Sequence, residues 1–390
     1  MIKNKLRGYL VNLLKRIITN KRKIVYHSFP DFTDNSFATF VFVSNNLPKY
    51  KNIWLVDSLE KKDFFLKLIA NYTASENYII LKKKSVKGFF HYLTAELVFH
   101  THGLFNELGL IKGQRKINLW HGMPIKKIGL YEGSESKIPI SNIHLSTSQF
   151  YQKILMKAFG SKINQVQIVG QTRNDLLLND NISIHRLFND RENYAKTILW
   201  MPTFRKSVVR DLRTDGSIEK EKDFINPEYL KKLNSFLKES NSIVYVKLHP
   251  MDYRGLEDFI NYTNIKFLNN NSFIEKGVNM YSTFSSFDIL LTDFSSIYID
   301  FLLLDIPIGF VFSDLQEFKE SRGFVFEDPI KYMPGEIISN EKELELFLSE
   351  TILKEKDSYI EQRSQMKNLF HKYHKNFNEQ LFNNLSKFEY

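Results

Sequence analysis

Hydrophobic positions in the first half of the chain fall into short β-prone runs, separated by segments long enough to form helices. The runs are KIVYHSF, NIWLVDS, YIILKKK, AELVFHT, KINLWHG, IHLSTS and QVQIVG. This alternation is typical of βα units, in which helices cover both faces of a mostly parallel sheet. It predicts a first α/β domain over residues 23–180.

The same alternation resumes after a polar stretch at residues 179–196. The runs TILWMPTF, SIVYVKLHP, NIKFLNN, DILLTDF and IPIGFVF predict a second α/β domain over residues 195–340. Residues 341–390 read as helices without a strand signal, which either close the second domain or cross back to the first. The predicted fold class is α/β, with two Rossmann-like domains whose strand ends face a central cleft, where open parallel sheets bind ligands.

The segment before the first strand predicts an amphipathic helix over residues 1–22. Its apolar residues recur at helical spacing, at Ile2, Leu6, Leu10, Leu13, Leu14 and Ile17. The remaining faces carry Lys3, Lys5, Arg7, Lys15 and Arg16. This pattern suits a helix lying on an anionic membrane surface, although packing on the first domain is the alternative. No apolar run approaches the roughly 18–20 residues that span a bilayer, and no cleavage site follows, so the chain is expected to be neither transmembrane nor secreted.

The composition restricts the chemistry. The chain has 390 residues and no cysteine, which excludes disulfides and thiolate sites and fits a reducing compartment. A formal net charge of +10 favours acidic partners such as nucleic acid, anionic lipid or a phosphate-bearing substrate. Because no helix-turn-helix, zinc finger or RNA-binding aromatic signature accompanies the charge, nucleic acid is not expected as a partner.

Two histidines follow predicted strands in the two halves of the chain. In LWHGMPIKKIG a strand is predicted to end at Trp120, and the turn forced by Gly122 and Pro124 would project His121 from the sheet, where it can exchange a proton near neutral pH. In VYVKLHPMD a second strand leads to Lys247 and His249. We expect the two histidines to face each other across the cleft.

Other readings of these histidines stay open. A loop histidine that binds a backbone carbonyl is the structural alternative for His121. A metal site is the competing functional alternative, but neither histidine has a second histidine four residues away or a cysteine pair nearby. No metal site is therefore predicted.

Two further strand ends carry groups suited to phosphate. The stretch WMPTFRKS supplies the Thr203 hydroxyl and the Arg205 guanidinium, unless it is only a basic surface loop. In LLTDFSSIYIDFLLLDIPIGF a strand ends at Asp293, and Ser295 and Ser296 fall where a helix cap and first turn are expected. Such a turn binds anions through its amides and hydroxyls, unless the serines only cap the helix.

The remaining candidates are weaker. Arg173 and Asp175, in GQTRND, either bind an anion or pair with each other. The polar turn SFPDFTDN after the first strand either touches the acceptor or merely connects elements. His102, in THG, also follows a strand, but nothing near it in sequence indicates a role.

In their order along the chain, LWHGMPIKKIG, VGQTRND, MPTFR, VKLHP, LLTDFSSIYIDF and SRGFVF followed by MPGE resemble the CDP-glycerol glycerophosphotransferase family, the teichoic acid primases and polymerases. The resemblance spans roughly residues 24–340. It implies a two-domain fold similar to that of the GT-B nucleotide-sugar transferases, acting at the cytoplasmic face of the membrane as a peripheral protein.

The resemblance also implies a reaction. A polyol phosphate would pass from a CDP-linked donor to a hydroxyl of an acceptor glycan linked to undecaprenyl diphosphate, with release of CMP. His121 matches the proposed base and His249 the histidine suited to the donor pyrophosphate. The donor-binding matches are Thr203, Arg205, Lys247, Asp293, Ser295 and Ser296. The secondary candidates within the motifs are Gly122, Lys126, Arg173, Asp175 and Arg322.

Departures from the family pattern bear on the substrates. Met123 stands where the HGTP motif has threonine, and Gln171 and Thr172 stand where a proline is usual. Glycerol phosphate from CDP-glycerol is the favoured group, while CDP-ribitol, a capsule-type acceptor and a GT-B sugar transferase are the alternatives. No cofactor is expected to be required, although Mg²⁺ on the pyrophosphate stays open, as does the oligomeric state.

Overall fold

The structure is a computed structural model that describes residues 22–133, 138–203, 224–249 and 262–387. Residues 1–21 of the predicted N-terminal helix, and Arg205, lie outside the described residues. The domain boundaries predicted from sequence stay predictions. Among the described residues, no helix combines the length and the apolar content needed to cross a bilayer.

The described strands number thirteen. They are β1 (Lys23–His27), β2 (Lys51–Val56), β3 (Tyr78–Lys82), β4 (Leu97–His100), β5 (Arg115–Asn118), β6 (Ile143–Ser146), β7 (Val166–Ile168), β8 (Lys196–Met201), β9 (Ser242–Lys247), β10 (Ile265–Leu268), β11 (Ile289–Thr292), β12 (Ile308–Val311) and β13 (Glu336–Ile338). The first twelve coincide with the hydrophobic runs of the sequence. The short strand β13 was not predicted.

The α-helices of the described residues cover the sheets. They are α1 (Asp34–Asn46), α2 (Lys62–Ala70), α3 (Val86–Leu93), α4 (Gln149–Phe159), α5 (Asn174–Asn179), α6 (Ile184–Leu187), α7 (Pro227–Glu239), α8 (Asn270–Ile274), α9 (Ile297–Phe301), α10 (Leu315–Ser321), α11 (Glu341–Leu353), α12 (Ile360–Phe370) and α13 (Phe377–Ser386). Short 3₁₀ turns occur at Asn106–Leu108, Gly129–Glu132, Ile163–Gln165, Met280–Ser286 and Ile330–Tyr332.

The strands form two parallel sheets, which confirms the prediction of two parallel α/β domains. The first sheet has the order β3-β2-β1-β4-β5-β6-β7, and the second has β10-β9-β8-β11-β12-β13. Each is therefore a doubly wound sheet, with its order reversing between β1 and β4 or between β8 and β11. Ligands of such sheets bind beyond the carboxyl ends of the strands at this reversal. The topology therefore predicts a ligand site beyond the ends of β1 and β4 and of β8 and β11.

Each sheet is built from buried strands with few polar positions. Strand β1 buries Ile24, Val25 and Tyr26 completely, and β8 buries Ile198 and Leu199. Burial on both faces is what a parallel sheet covered by helices requires, and it explains why these strands read as continuous apolar runs.

The C-terminal helices combine the two arrangements considered from sequence: α11 packs on β12 and β13 of the second sheet, whereas α12 and α13 cross back to helices of the first domain. Helix α13 buries Phe377, Leu381 and Leu385 at a spacing of four residues. Its Phe382 stacks on Phe42 of α1 with ring centroids 5.5 Å apart, and the Arg115 guanidinium donates to the carbonyl of Leu385 at 2.8 Å. The end of the chain therefore fastens the second domain to the first.

Two local predictions need correction. Strand β5 ends at Asn118 rather than Trp120, because Trp120 adopts a left-handed backbone with φ 59° and donates its N–H to Asn118 Oδ1 at 3.0 Å. The helix after Asp293 covers only Ile297–Phe301, and Ser296 at its N-cap position makes no side-chain cap. Ser295 Oγ accepts a long hydrogen bond of 3.4 Å from the Ile297 N–H, so of the two serines only Ser295 binds the start of the helix through its side chain.

Candidate active site

A cleft of about 380 Å³ lies between the carboxyl ends of the two sheets. Its walls come from the loops after β1, β4 and β5 on one side and after β8, β9 and β11 on the other. The predicted site residues on its walls are His121, Gly122, Lys126, Arg173, Thr203, Lys247, His249, Ser295, Ser296 and Arg322. The prediction that the two histidines share one cleft is thus matched by their positions, while their chemical roles stay predictions.

His121 is held in one tautomer. Its Nδ1 lies 3.2 Å from the carbonyl oxygen of Thr101, and because a carbonyl can only accept, Nδ1 carries the proton and Nε2 keeps a lone pair. Burial lowers the pKa of His121 below its usual value, while the nearby carboxylate of Asp34 and the Thr101 carbonyl act in the opposite direction. His121 therefore rests as a neutral imidazole that can accept a proton on Nε2.

His102 also belongs to this wall, although nothing near it in sequence indicated a role. Its ring lies parallel to that of His121, with centroids 4.1 Å apart and an interplanar angle of 12°. It is held by a hydrogen bond of 2.8 Å between its Nδ1 and the Thr101 hydroxyl. The sequence signal was weak, because the proximity of two rings from adjacent strands follows only from their register.

Arg173 ties the two domains together beside His121. Its Nη1 donates to Asp34 at 2.5 Å and to the His121 carbonyl at 3.0 Å, and its Nη2 donates to Asp300 at 2.6 Å. Asp300 also accepts from the Tyr281 hydroxyl at 3.0 Å. Burial by itself lowers the pKa of Arg173, but Asp300 and Asp34 outweigh it and raise the value, so this guanidinium stays charged.

Sequence reasoning missed the partners of Arg173. Asp34 lies in the polar turn after β1, and Asp300 is an acidic residue within the apolar run IYIDFLLL. A carboxylate in such a run is a usable signal, because a buried charge requires a partner. Which partner it finds could not be read from the sequence.

Asp175 is placed elsewhere, and its pairing with Arg173 was wrong. Its carboxylate accepts the backbone N–H groups of Phe377 and Asn378, both at 2.8 Å, and the Asn378 side-chain amide at 2.7 Å. Asp175 therefore caps helix α13 rather than lining the cleft.

Thr203 and Asp293 join the ends of β8 and β11 at the point where the order of the second sheet reverses. The Asp293 carboxylate accepts the Thr203 N–H at 3.1 and 3.0 Å and its hydroxyl at 2.8 Å. Asp293 is buried, with 3% of its surface exposed. The carboxylate thus orients Thr203, and it is Thr203 that lines the cleft.

Lys247 and His249 put two ionisable groups at the end of β9. Burial lowers the pKa of Lys247 to about 8, so this amine is still mostly protonated at neutral pH. Burial, followed by the charges of Lys247 and Lys126, lowers the pKa of His249 to about 3. His249 therefore rests neutral and offers a hydrogen bond rather than a charge.

The loop after His121 pairs directly with the second domain. The Lys127 N–H donates to the Gly323 carbonyl at 3.1 Å, and the Val325 N–H donates to the Ile125 carbonyl at 2.8 Å. This antiparallel contact brings Lys126 and Arg322 to the same cleft, and Arg322 forms an ion pair with Glu132.

Gly122 allows a close approach between the two domains. It has a φ of 136°, and a Cβ at this position would lie 2.4 Å from Ser296 Oγ. Only glycine accepts both this backbone and this contact. Within the described parts of the chain, no group of three or more histidines and carboxylates is arranged to hold a metal ion.

Comparison with known proteins adds an independent line of evidence. A family model described as CDP-glycerol:poly(glycerophosphate) glycerophosphotransferase matches residues 9–385. The teichoic acid glycerol-phosphate primase of Bacillus subtilis is 26% identical over 57% of this chain and 56% of its own length. The teichoic acid poly(glycerol phosphate) polymerase of the same organism is 24% identical over 86% of this chain and 44% of its own length. The matched region therefore spans about half of each of these relatives.

A solved structure of the wall teichoic acid polymerase TagF has the same fold. It matches 98% of this chain and 95% of its own with a TM-score of 0.72 and 18% sequence identity. At this identity the likeness concerns the fold alone.

Proposed function

Because this chain belongs to the CDP-glycerol:poly(glycerophosphate) glycerophosphotransferase family, we propose that it transfers glycerol phosphate from CDP-glycerol to a hydroxyl of a lipid-linked glycan and releases CMP, in the synthesis of teichoic acid or a related polymer. One observation carries the proposal. A neutral histidine from each domain lines one cleft together with the cationic residues Lys126, Lys247 and Arg322.

The two facing sheets support a GT-B-like arrangement as the frame of this reaction. In such an arrangement the second domain holds the nucleotide-linked donor and the first presents the acceptor. The cations that line the cleft from both sides suit a pyrophosphate, since they can neutralise its oxygens.

The chemical step is a single in-line displacement. Nε2 of His121 takes the proton of the acceptor hydroxyl as its oxygen attacks the β-phosphorus. A new P–O bond forms to the acceptor, the bond to the bridging oxygen breaks, and that oxygen leaves with CMP. The proton on His121 then passes to solvent, so no covalent intermediate with the protein is needed.

The departing CMP needs its growing charge stabilised. Lys247 supplies a positive charge close to His249. His249 contributes an N–H, and the negative charge of the bound donor would raise its pKa. The Thr203 hydroxyl donates to the Asp293 carboxylate at 2.8 Å, which holds this side chain at the wall of the same cleft.

No cofactor is proposed beyond the substrates. Whether the reaction also uses a Mg²⁺ ion bound to the pyrophosphate is a separate question. Activity measured with EDTA and then with added Mg²⁺ decides this. We also propose that the protein works at the cytoplasmic face of the membrane, where a lipid-linked acceptor would be found.

The experiment measures CMP release from CDP-glycerol and CDP-ribitol, with a synthetic lipid-linked disaccharide and with glycerol-phosphate-primed lipid as acceptors. Acceptor-dependent CMP from CDP-glycerol is expected. Turnover of CDP-ribitol but not of CDP-glycerol would identify ribitol phosphate as the transferred group. Release of UDP from a UDP-sugar, without release of CMP, would identify the protein as a sugar transferase.

Variants of the two histidines test the mechanism. His121→Ala and His249→Ala are both expected to abolish turnover while far-UV circular dichroism and the thermal midpoint stay close to those of the unmodified protein. If both folded variants kept near-normal rates, the assignment of the two histidines would be wrong.

A further inference from the structure

We propose that His102 is a positioning residue for His121, holding the imidazole of the base by parallel stacking as that ring becomes charged. This inference rests on the proposed function, since it concerns the group that accepts the proton. It comes from the THG segment, whose place in the site was not evident from sequence.

The contacts constrain His121 in two ways. The Thr101 carbonyl fixes the direction of Nδ1 at 3.2 Å. The His102 ring covers one face of His121, with a centroid separation of 4.1 Å and a tilt of 12°. A single hydrogen bond leaves a ring free to pivot about it, whereas a flat neighbour removes that pivot. Together with the Trp120 ring, whose centroid lies 4.2 Å from that of His121 at a tilt of 35°, these two contacts hold the direction of Nε2.

His102 is itself held in place. Its Nδ1 is hydrogen-bonded to the Thr101 hydroxyl at 2.8 Å, and Phe29 packs edge-on against its ring with centroids 5.8 Å apart. Thr101 thus serves both histidines, through its carbonyl for one and its hydroxyl for the other.

The charges and burial around His102 and His121 allow only one of these two imidazoles to be protonated at a time. His102 is an exposed residue at the wall of the cleft, and the protein atoms that pack around its ring, followed by the charges of His121, His27 and Arg173, lower its pKa. His121 faces the Asp34 carboxylate, which favours its charged form, as well as Arg173, which opposes it. When His121 takes a proton, His102 therefore stays neutral.

A neutral ring stacked on a cation is favourable. The π face of an aromatic ring attracts a positive charge placed over it, so the His102 ring is well suited to the imidazolium form of His121. The ring also keeps water from that face of His121, which holds the resting form neutral and able to act as a base.

Three substitutions separate the stack from the hydrogen bond. His102→Phe keeps a ring but loses the bond to Thr101, His102→Gln keeps a polar group but loses the ring, and His102→Ala loses both. We expect kcat to fall by about 10- to 100-fold in the Ala and Gln variants, because a small displacement of a catalytic group has effects of this size. We expect the Phe variant to stay within about threefold of the unmodified protein, and KM for CDP-glycerol to change little in all three.

A measurement without substrate gives a second readout. The pKa of His121 is followed by NMR of its imidazole in each variant. Without the ring, loss of stacking on the imidazolium lowers the pKa of His121, whereas access of water raises it. Burial is the largest cause of its lowered pKa, so a net rise is expected and the acid limb of kcat/KM moves to higher pH. In the His102→Phe variant, the pKa of His121 and the acid limb of kcat/KM are both expected to stay unchanged.

The outcomes distinguish the inference from the function on which it rests. Normal kcat and normal titration in His102→Ala overturn the stacking role, and so does a Phe variant as impaired as the Ala variant. If His121→Ala is active, the proposed base itself is wrong. If His121→Ala is inactive while His102→Ala is normal, only the role of His102 fails. Should the Ala variant not fold, the comparison of Phe with Gln decides the same question.

Discussion

Arg173 of the first domain donates from Nη2 to Asp300 of the second at 2.6 Å, with only 6% and 2% of the two side chains exposed. The same guanidinium also binds Asp34 and the backbone carbonyl of His121. One buried cation therefore joins the two domains at the point where the proposed base emerges from its strand.

Removing Arg173 is expected to affect both stability and activity. Arg173→Ala would leave two buried carboxylates without their cation, which costs about 3–5 kcal/mol in the free energy of unfolding. Urea denaturation measures this loss, and kcat should fall as well because the His121 backbone loses a donor. The control is Arg186→Ala, since Arg186 pairs with Glu192 at an exposed site. Equal effects of the two substitutions on stability would contradict the prediction.

Gly122→Ala tests the close approach of the domains. The added methyl would lie 2.4 Å from Ser296 Oγ, which pushes the His121 loop from the second domain, so kcat/KM should fall by about 100-fold. Gly109→Ala is the matched control, because its φ is 63° and no atom lies within 4 Å of an added Cβ. It bears a backbone cost of about 1–2 kcal/mol in the left-handed region, which is smaller than that of the glycine-restricted backbone at Gly122, and it should keep full specific activity. Comparable kinetic defects in both variants would assign the effect to the backbone alone.

Asp175→Ala should weaken the attachment of α13 without changing substrate affinity. Loss of a capping side chain costs about 0.5–2 kcal/mol, and hydrogen exchange of residues 377–386 should speed up. KM for CDP-glycerol should stay the same, since Asp175 is bound to α13 rather than to the cleft. Asp175→Asn keeps one acceptor oxygen and should show a smaller effect. A large rise in KM without faster hydrogen exchange would show that Asp175 contributes to substrate binding rather than to the attachment of α13.

The stability of the protein should fall as the pH is lowered from about 6.5. Burial lowers the pKa of His144 to about 4 in the folded protein, whereas an unfolded histidine has about 6.5. Between these values the unfolded chain binds more protons, so acid favours unfolding, by up to about 3 kcal/mol for this residue. Urea denaturation at pH 7.5 and 4.5 should show a smaller difference for His144→Gln than for the unmodified protein. An unchanged difference would exclude His144 as a source of the acid sensitivity.

Deletion of residues 1–20 tests the predicted membrane helix. Its basic and apolar faces suit an anionic surface, so the truncated protein should sediment less with anionic vesicles while turnover of a soluble acceptor analogue stays near normal. Neutral vesicles serve as the control. Unchanged sedimentation of the truncated protein with anionic vesicles would remove the membrane role of this segment.

Much of the fold was readable from the chain because parallel strands are buried on both faces. Twelve of the thirteen described strands appear as apolar runs. The exception, β13, is three residues long and forms the edge of its sheet. Strand β7 is equally short and also forms an edge, but it lies within the longer run QVQIVG, whereas Pro334 and Gly335 directly precede β13, which has only two apolar residues.

The candidate site was only partly readable. The motifs placed His121, Lys247, His249 and Thr203 at strand ends, and all four line one cleft. The expected role of Asp293 in donor binding stays a prediction, and its bonds to Thr203 depend on which strands lie next to each other.

The amino-acid sequence by itself determined the two parallel sheets and the strand ends that carry chemistry, because hydrophobic patterning and turn residues act locally. Only the tertiary structure decided the long-range pairs, among them the stack of His102 on His121 and the bond between Arg173 and Asp300. Such pairs depend on strand order and on how the domains meet. No local pattern encodes either, since each is set by the packing of the whole chain.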